Sequence, residues 1–295
     1  MEIGEAGMVK TLLRQDPLFL AQILLARAKV VLLPVPQQAV KSKIGDVVFE
    51  YDFADPALLD SFQHFRPAIH AMRLGSYEPT LRRTMRRLLK PGDTFIDVGA
   101  NIGYVSAVGA SLVGKTGQVH SFEPVRTCFR HLQRLAELNP GHRLFLNNFA
   151  LGAEDGEATI TLKRGNIGGN TLLAGQIPPE HIADSYAVPV HRLGDYLGKH
   201  GIEAPALIKI DVEGFEYQVI RGMANYFEAT AYRPPIICEV SADFAGTSAN
   251  ALRGMADHMT SLGYSAFRLL GSRKAVDLTQ IQGFPNLLFT VSQTR

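Results

Sequence analysis

DTFIDVGANIGYVS, residues 93–106, decides how the rest of the chain is read. Phe95-Ile96-Asp97-Val98 is a short apolar run with one carboxylate, entered from the turn Pro91-Gly92-Asp93, and it reads as a buried strand. Gly99, Ala100, Asn101 and Gly103 supply a tight small-residue turn. Ile102, Val105, Val108 and Leu112 then fall at helical spacing. Strand, turn and helix N-terminus in this order form the ligand-facing first unit of a doubly wound α/β sheet. Glu123 comes twenty residues after Gly103, at the end of a second strand-like run from Gln118 to Phe122. A carboxylate there can accept both hydroxyls of a ribose.

The turn also discriminates between nucleoside cofactors. A dinucleotide site uses G-x-G-x-x-G, whose glycines let backbone and helix N-terminus approach a pyrophosphate. Here the turn is Gly99-Ala100-Asn101-Ile102-Gly103, with Asp97 two residues before the first glycine. An acid at that position repels a pyrophosphate and suits a cationic amino group. S-adenosylmethionine carries an ammonium and a sulfonium and no phosphate, so it fits this stretch better than NAD.

The 295 residues, 46% hydrophobic and 20% charged, fit one large α/β domain with extra elements. Thirty basic residues against 28 acidic ones give a net charge of +2, so the balance supplies no argument for a nucleic-acid or membrane partner. Cys128 and Cys238 lie in apolar runs and read as buried free thiols of a cytoplasmic protein. The N-terminus MEIGEAG is acidic, unlike a secretory signal. The apolar run 18–35 is broken by Gln22, Arg27 and Lys29 and ended by Pro34, so it reads as a packed helix and no transmembrane segment is expected.

Outward from the central stretch, residues 1–76 read as an N-terminal helical and β extension, and 77–295 as the cofactor-binding domain. The extension holds a helical segment over 1–35, a strand over 47–53 and a helix over 56–66. In the helix expected over 77–90, Arg82, Arg83, Arg86, Arg87 and Lys90 form a basic face. No aromatic residues interleave with them, so the face reads as solvated rather than nucleic-acid-binding. From residue 93, strands over 94–98, 118–122 and 143–149 alternate with helices over 101–113 and 125–138. A β insertion of about 152–192 follows, with the glycine- and proline-rich loop 165–181 at its centre. The alternation resumes with strands over 207–211 and 235–240 and helices over 214–223 and 248–262. The closing runs 264–270 and 286–292, with no long helix between them, form an antiparallel hairpin at the sheet end.

Five stretches resemble the FkbM-type S-adenosylmethionine-dependent methyltransferases: DTFIDVGANIGYVS, HSFEPV (120–125), NNFALG (147–152), LIKIDVEGFEYQVIRGM (207–223) and IICEVS (236–241). They stand in the family's order and spacing, and the terminal Pro285-Asn286-Leu287-Leu288-Phe289 resembles its closing strand. Residues 1–70 carry no such resemblance. It implies a seven-strand Rossmann-like methyltransferase sheet, mostly parallel with the last strand antiparallel. It also implies methyl transfer to a hydroxyl of a sugar, polyketide or related secondary metabolite. Carried over residue by residue, Asp97, Gly99, Ala100, Asn101 and Gly103 would line the methionine end of the cofactor and Glu123 would hold the ribose. Asn148 and Ala150 would flank the adenine, and Tyr77 and Glu78 would close over the cofactor.

Open α/β sheets bind ligands beyond the carboxyl ends of their strands. Asp211 and Glu213 follow the fourth strand and Glu239 ends the fifth, so three carboxylates converge there. Asp211 is the first choice to orient or deprotonate an acceptor hydroxyl, since a positioned base contributes typically ~10²–10⁴-fold. A divalent ion shared by the three acids is an open alternative, as is a structural role in capping the next helix. Lys209 reads as a salt-bridge partner, and His181 and His191 as bases of second rank. The expected partner is a small hydroxylated substrate, with self-association left open. RNA or protein methylation, and a catalytically inactive binding protein that keeps the fold, are the competing readings.

Overall fold

A computed structural model describes residues 39–52, 55, 71–72, 77–240, 249–270 and 274–291. The helices expected over 1–35 and 56–66 lie outside the described residues. What is described of the N-terminal extension opens with a hairpin, β1 (Val40–Ile44) and β2 (Val47–Tyr51), turned by Gly45 and Asp46. Then follow α1 (Pro79–Leu88), β3 (Thr94–Val98), α2 (Tyr104–Val113), β4 (Gln118–Phe122), α3 (Arg126–Leu138) and β5 (Arg143–Asn147). The inserted sheet contains β6 (Ala150–Leu151), β7 (Gly156–Lys163) and β8 (Ile182–His191). The chain continues through α4 (Leu193–Lys199), β9 (Leu207–Ile210), α5 (Glu216–Arg221), α6 (Ala224–Ala229) and β10 (Ile236–Glu239). It closes with α7 (Ala249–Ser261), β11 (Tyr264–Arg268) and β12 (Asn286–Val291).

The main sheet has seven strands in the order β11-β12-β10-β9-β3-β4-β5. β3, β4, β5, β9 and β10 run parallel, and β12 is antiparallel to both its neighbours. The antiparallel closing strand therefore enters between β10 and β11, as the closing hairpin of the sequence requires. From β3 the chain moves out through β4 and β5, then returns to β9 on the other side. The order reverses at the β3–β9 pair, and a doubly wound sheet opens its ligand crevice at that point.

Strand alternation assigns each side chain to a face. Ile96, Val98, Ile208, Ile210 and Cys238 join one apolar cluster with α4 to α7. Phe95, Leu207 and Ile237 join another with the hairpin, α1 and α2. Both clusters are fully buried, each large aliphatic contributing on the order of 1.5–3 kcal/mol. Helix α2 approaches β3 closely because Gly109 lacks a side chain. A Cβ there would come within 2.3 Å of the Phe95 ring. Alternation also sends Asp97, Ser121 and Lys209 to this second face, where they stand side by side in register and buried. The hairpin is clasped to α3 by the Asn139 side chain. It accepts from Val48 N–H at 2.8 Å and donates to Val48 C=O at 2.7 Å.

The sequence-based boundaries shift at three places. Residues 101–103 form the turn and not the first turn of α2, because Asn101 and Gly103 have positive φ. β5 ends at Asn147, and Ala150 passes into the inserted sheet, whose order is β6-β8-β7. The short helices α4 and α6 carry too few residues to show periodicity in sequence.

Candidate active site

The turn after β3 forms the floor. Gly99 and Ala100 donate their N–H groups to the carbonyl of Phe122, which ties the ends of β3 and β4 together. Gly99 has φ +77°, and a Cβ there would lie 1.8 Å from the carbonyl oxygen of Asp211. Only glycine permits this approach of the β3 turn to the end of β9. Asn101, at φ +50°, donates its N–H to Glu123 Oε2 at 2.8 Å, while Val125 N–H donates to Oε1 at 2.8 Å. Glu123 is 5% exposed. Burial pushes its carboxyl up to about 7, against the two N–H groups, which favour the charged form.

Glu123 opens into a cavity whose apolar lining includes Phe149, Ala150, Ile160 and Leu172. A carboxylate beside an apolar wall suits an adenosine, hydroxyls to the acid and base to the apolar side. A larger cavity adjoins it, lined by Tyr77, Glu78, Ala100, Lys209, Asp211, Glu213 and Glu239 among others. The two share Gly99, Asn101, Ile167, Gly168, Asp211 and Glu213, so they form one groove across the carboxyl ends of β3, β4 and β9. Among the described residues this donor set fits an adenosyl cofactor carrying a cationic amino-acid tail.

At the larger end, Asp211, Glu213 and Glu239 each offer an oxygen, all within 4.8 Å of one another. Oxygens so spaced could hold a divalent cation. Lys209 Nζ donates to Asp211 Oδ2 at 2.8 Å from a side chain only 3% exposed. Burial disfavours the Lys209 charge, but Asp211 and Asp97 outweigh it and raise its pKa. Desolvation first, then neighbouring acids, push Glu78 to about 7, Glu213 to about 8 and Glu239 to about 10. One ammonium cannot neutralise four crowded carboxylates, so the cluster retains protons at neutral pH.

Three residues expected at the cofactor are not among those that line the groove. Asp97 is fully buried beneath α2, where its Oδ2 accepts from Ser106 Oγ at 2.6 Å and Oδ1 has no hydrogen-bond partner. Lys209, beside it on the same face, reaches the groove, whereas Asp97 is covered by Ser106 of α2. Gly103, at φ +87°, opens α2 and faces Leu132. Asn148 is exposed and donates to the carbonyl of Glu123 at 2.8 Å; its neighbour Phe149 takes the cavity position. Of the two candidate histidines, His191 faces Asp155 at 3.4 Å and His181 ends the short helical turn Pro179–His181, and neither lines the groove.

The sequence reading did not single out Phe149, Ile167, Tyr104 or Glu216. Glu216, 4% exposed, accepts from Gly214 N–H at 2.9 Å and fixes the turn that carries Glu213. A carboxylate three residues after Glu213, at the start of a helix, was the available signal. Phe149 could have been found from the phase of alternation in NNFALG.

The family model of the methyltransferase FkbM domain matches residues 97–266, more than half of the chain. The chain belongs to that family. It is a methyltransferase, and S-adenosylmethionine is its methyl donor. Methyltransferase 1 of Beauveria bassiana (strain ARSEF 2860) is 29% identical over 172 residues, 52% of this chain and 69% of the relative. The 31-O-demethyl-FK506 methyltransferase FkbM of Streptomyces tacrolimicus is 30% identical over 166 residues, 46% of this chain and 62% of the relative. The chain thus spans less than two thirds of the second relative. The solved methyltransferase FkbM of Methylobacillus flagellatus KT aligns over 78% of this chain and 54% of its own, at 18% identity and TM-score 0.40. The fold assignment of this FkbM-family chain rests on its strand order, not on that superposition. No helix among the described residues is long and apolar enough to cross a membrane.

Proposed function

We propose that this FkbM-family methyltransferase methylates a hydroxyl oxygen of a small molecule, a sugar or a secondary-metabolite glycoside, in the cytoplasm. The supporting observation is the acid cluster of Asp211, Glu213 and Glu239, which lines the larger cavity of the groove. One relative's name points the same way, since it specifies an oxygen acceptor, 31-O-demethyl-FK506.

When bound, S-adenosylmethionine supplies a methyl group made electrophilic by its sulfonium. Glu123 holds the ribose hydroxyls, Phe149 and Ala150 bound the adenine, and Tyr77, Glu78, Gly99, Ala100 and Asn101 enclose the methionine end. Asp211, pinned by Lys209, accepts the hydrogen bond that orients the acceptor hydroxyl. The hydroxyl proton then passes to Asp211, because desolvation and then neighbouring acids leave Glu213 and Glu239 already holding protons at neutral pH. Alignment of oxygen with methyl, up to roughly 7–11 kcal/mol in the best intramolecular cases, is the larger contribution. A groove carrying four carboxylates would repel a phosphate backbone, which disfavours RNA as acceptor.

Calorimetric titration with S-adenosylhomocysteine tests the cofactor assignment, with NAD as the control. A panel of hydroxylated acceptors and labelled S-adenosylmethionine then tests the reaction, with Asp211→Asn and Glu239→Gln alongside. Label transferred to nitrogen or to RNA, or transfer unaffected by both variants, would overturn this reading.

A further inference from the structure

We propose that Thr171, on the inserted loop, is a positioning residue for the acid cluster, its hydroxyl setting where Glu213 stands. The inference rests on the reading of the larger cavity as the end at which methyl transfer takes place.

Thr171 is 1% exposed and is anchored by its own backbone. It accepts from Thr161 N–H at 2.9 Å and donates to Thr161 C=O at 3.1 Å, which fastens it to β7. Its hydroxyl donates to the carbonyl oxygen of Glu213 at 2.7 Å and accepts from Leu173 N–H at 3.1 Å. With both roles taken, the hydroxyl has one orientation available. On the other side of the same peptide unit, Gly214 N–H donates to Glu216 at 2.9 Å. The peptide between Glu213 and Gly214 is therefore gripped at both ends. One grip comes from its own turn and the other from a residue 42 positions away.

That grip has a purpose the backbone makes visible. Glu213 has φ +53°, a conformation that a residue with a side chain keeps only where its surroundings impose it. The other non-glycine residues with positive φ among those described are Glu78 and Asn101, and all three line the groove. In this conformation the Glu213 carboxylate is brought beside those of Asp211 and Glu239, within 4.8 Å. The loop is held at a second point, where Asn101 Nδ2 donates to the carbonyl of Ile167 at 3.0 Å. The insertion thus reaches the cofactor turn with one residue and the acid cluster with another. Without the Thr171 hydroxyl, the Glu213 peptide keeps only the grip of Glu216 from its own turn, and its carboxylate can leave the cluster while Glu123 keeps its donors.

The test needs no acceptor. Sinefungin carries an amino-bearing carbon where S-adenosylmethionine has its methylated sulfonium, and S-adenosylhomocysteine has no charge there. The ratio of their affinities, by calorimetry near pH 7.5, reads the acid cluster alone. The wild type should prefer sinefungin. Thr171→Val should lower that preference about tenfold while shifting S-adenosylhomocysteine affinity less than about twofold. Thr171→Ser should restore the preference. Thr171→Ala, which cannot crowd the site, replaces the valine variant if thermal melting shows the latter unfolded. A preference retained in the valine or alanine variant overturns the proposal, as does a serine variant that behaves like valine, or a wild type with no preference. A wild type that fails to bind S-adenosylhomocysteine removes the cofactor reading itself, and the inference with it.

Discussion

Glu123 and Glu213 line the same groove, and desolvation pushes both carboxyls up, to about 7 and about 8. Their surroundings differ in one respect. Glu123 receives two backbone N–H groups, from Asn101 and Val125, so a site for its charge exists before any ligand arrives. Glu213 is among Asp211, Glu216 and Glu239, and like charge adds to the effect of burial. The Glu123 end is preorganised, whereas the Glu213 end is held in a tense arrangement that a hydroxyl donor or a cation would relieve. Substitutions should therefore act differently at the two ends.

The largest effect is expected where the ends join. Gly99→Ala places a Cβ 1.8 Å from the Asp211 carbonyl at φ +77°, and should cost about 3 kcal/mol in urea unfolding. Gly201→Ala is the control. It has a similar φ of +63° but nothing within 4 Å, and should cost only about 1 kcal/mol. Equal costs would mean that the β3 turn and the end of β9 do not bear on one another, and the groove would then be two separate sites.

Next comes Glu123→Ala, which removes the ribose partner and strands two N–H donors. Affinity for S-adenosylhomocysteine should fall about a hundredfold, as expected for loss of hydrogen bonds to a charged group. Glu213→Ala should leave that affinity within about threefold, because its contribution is to the acceptor end. A reversed order would exchange the roles assigned to the two acids.

The difference between the ends also explains what the sequence could show. Gly99, Asn101 and Glu123 belong to a strand-turn-helix-strand unit whose parts lie close along the chain, so residue types and spacing reveal their geometry. The antiparallel β12 was legible for a similar reason, since the stretch between it and β11 carries no long helical run. The arrangement at the acceptor end depends on contacts distant in sequence. Thr171 meets Glu213 only after the insertion has folded back, and no local pattern encodes that. Asp97 illustrates a subtler limit. Its place on β3 was readable, but which face α2 would cover depended on Gly109 admitting the helix against Phe95.

A smaller effect should appear in the pH dependence of stability. The carboxyls of Glu123 and Glu213 have pKa values above their ordinary value near 4.5, so the folded state holds those protons more tightly than the unfolded one. The resulting stability is fully present below about pH 4.5 and is lost as pH rises through about 7 and 8 respectively. The cofactor-free protein should accordingly melt at lower temperature at pH 9 than at pH 6. Glu213→Gln, which resembles the protonated acid, should flatten this slope by about 3 °C. An unchanged slope would mean that Glu213 titrates normally and that the cluster is not under tension.

The smallest effect concerns neighbours at the adenine end. Asn148 is exposed, its amide is spent on the carbonyls of Glu123 and Pro124, and it does not itself line the cavity. Phe149 lines the cavity, with its ring edge-to-face against Phe122 at 5.6 Å and His191 at 4.7 Å. Phe149→Ala should weaken S-adenosylhomocysteine about tenfold through lost apolar contact, whereas Asn148→Ala should change it by less than about twofold. Both substitutions fall on adjacent residues just beyond β5, so general loosening of the segment would affect them alike. A tenfold loss at Asn148 would place the base beside the amide instead of the ring. The discrimination at this end would then come from hydrogen bonding and not from the apolar wall.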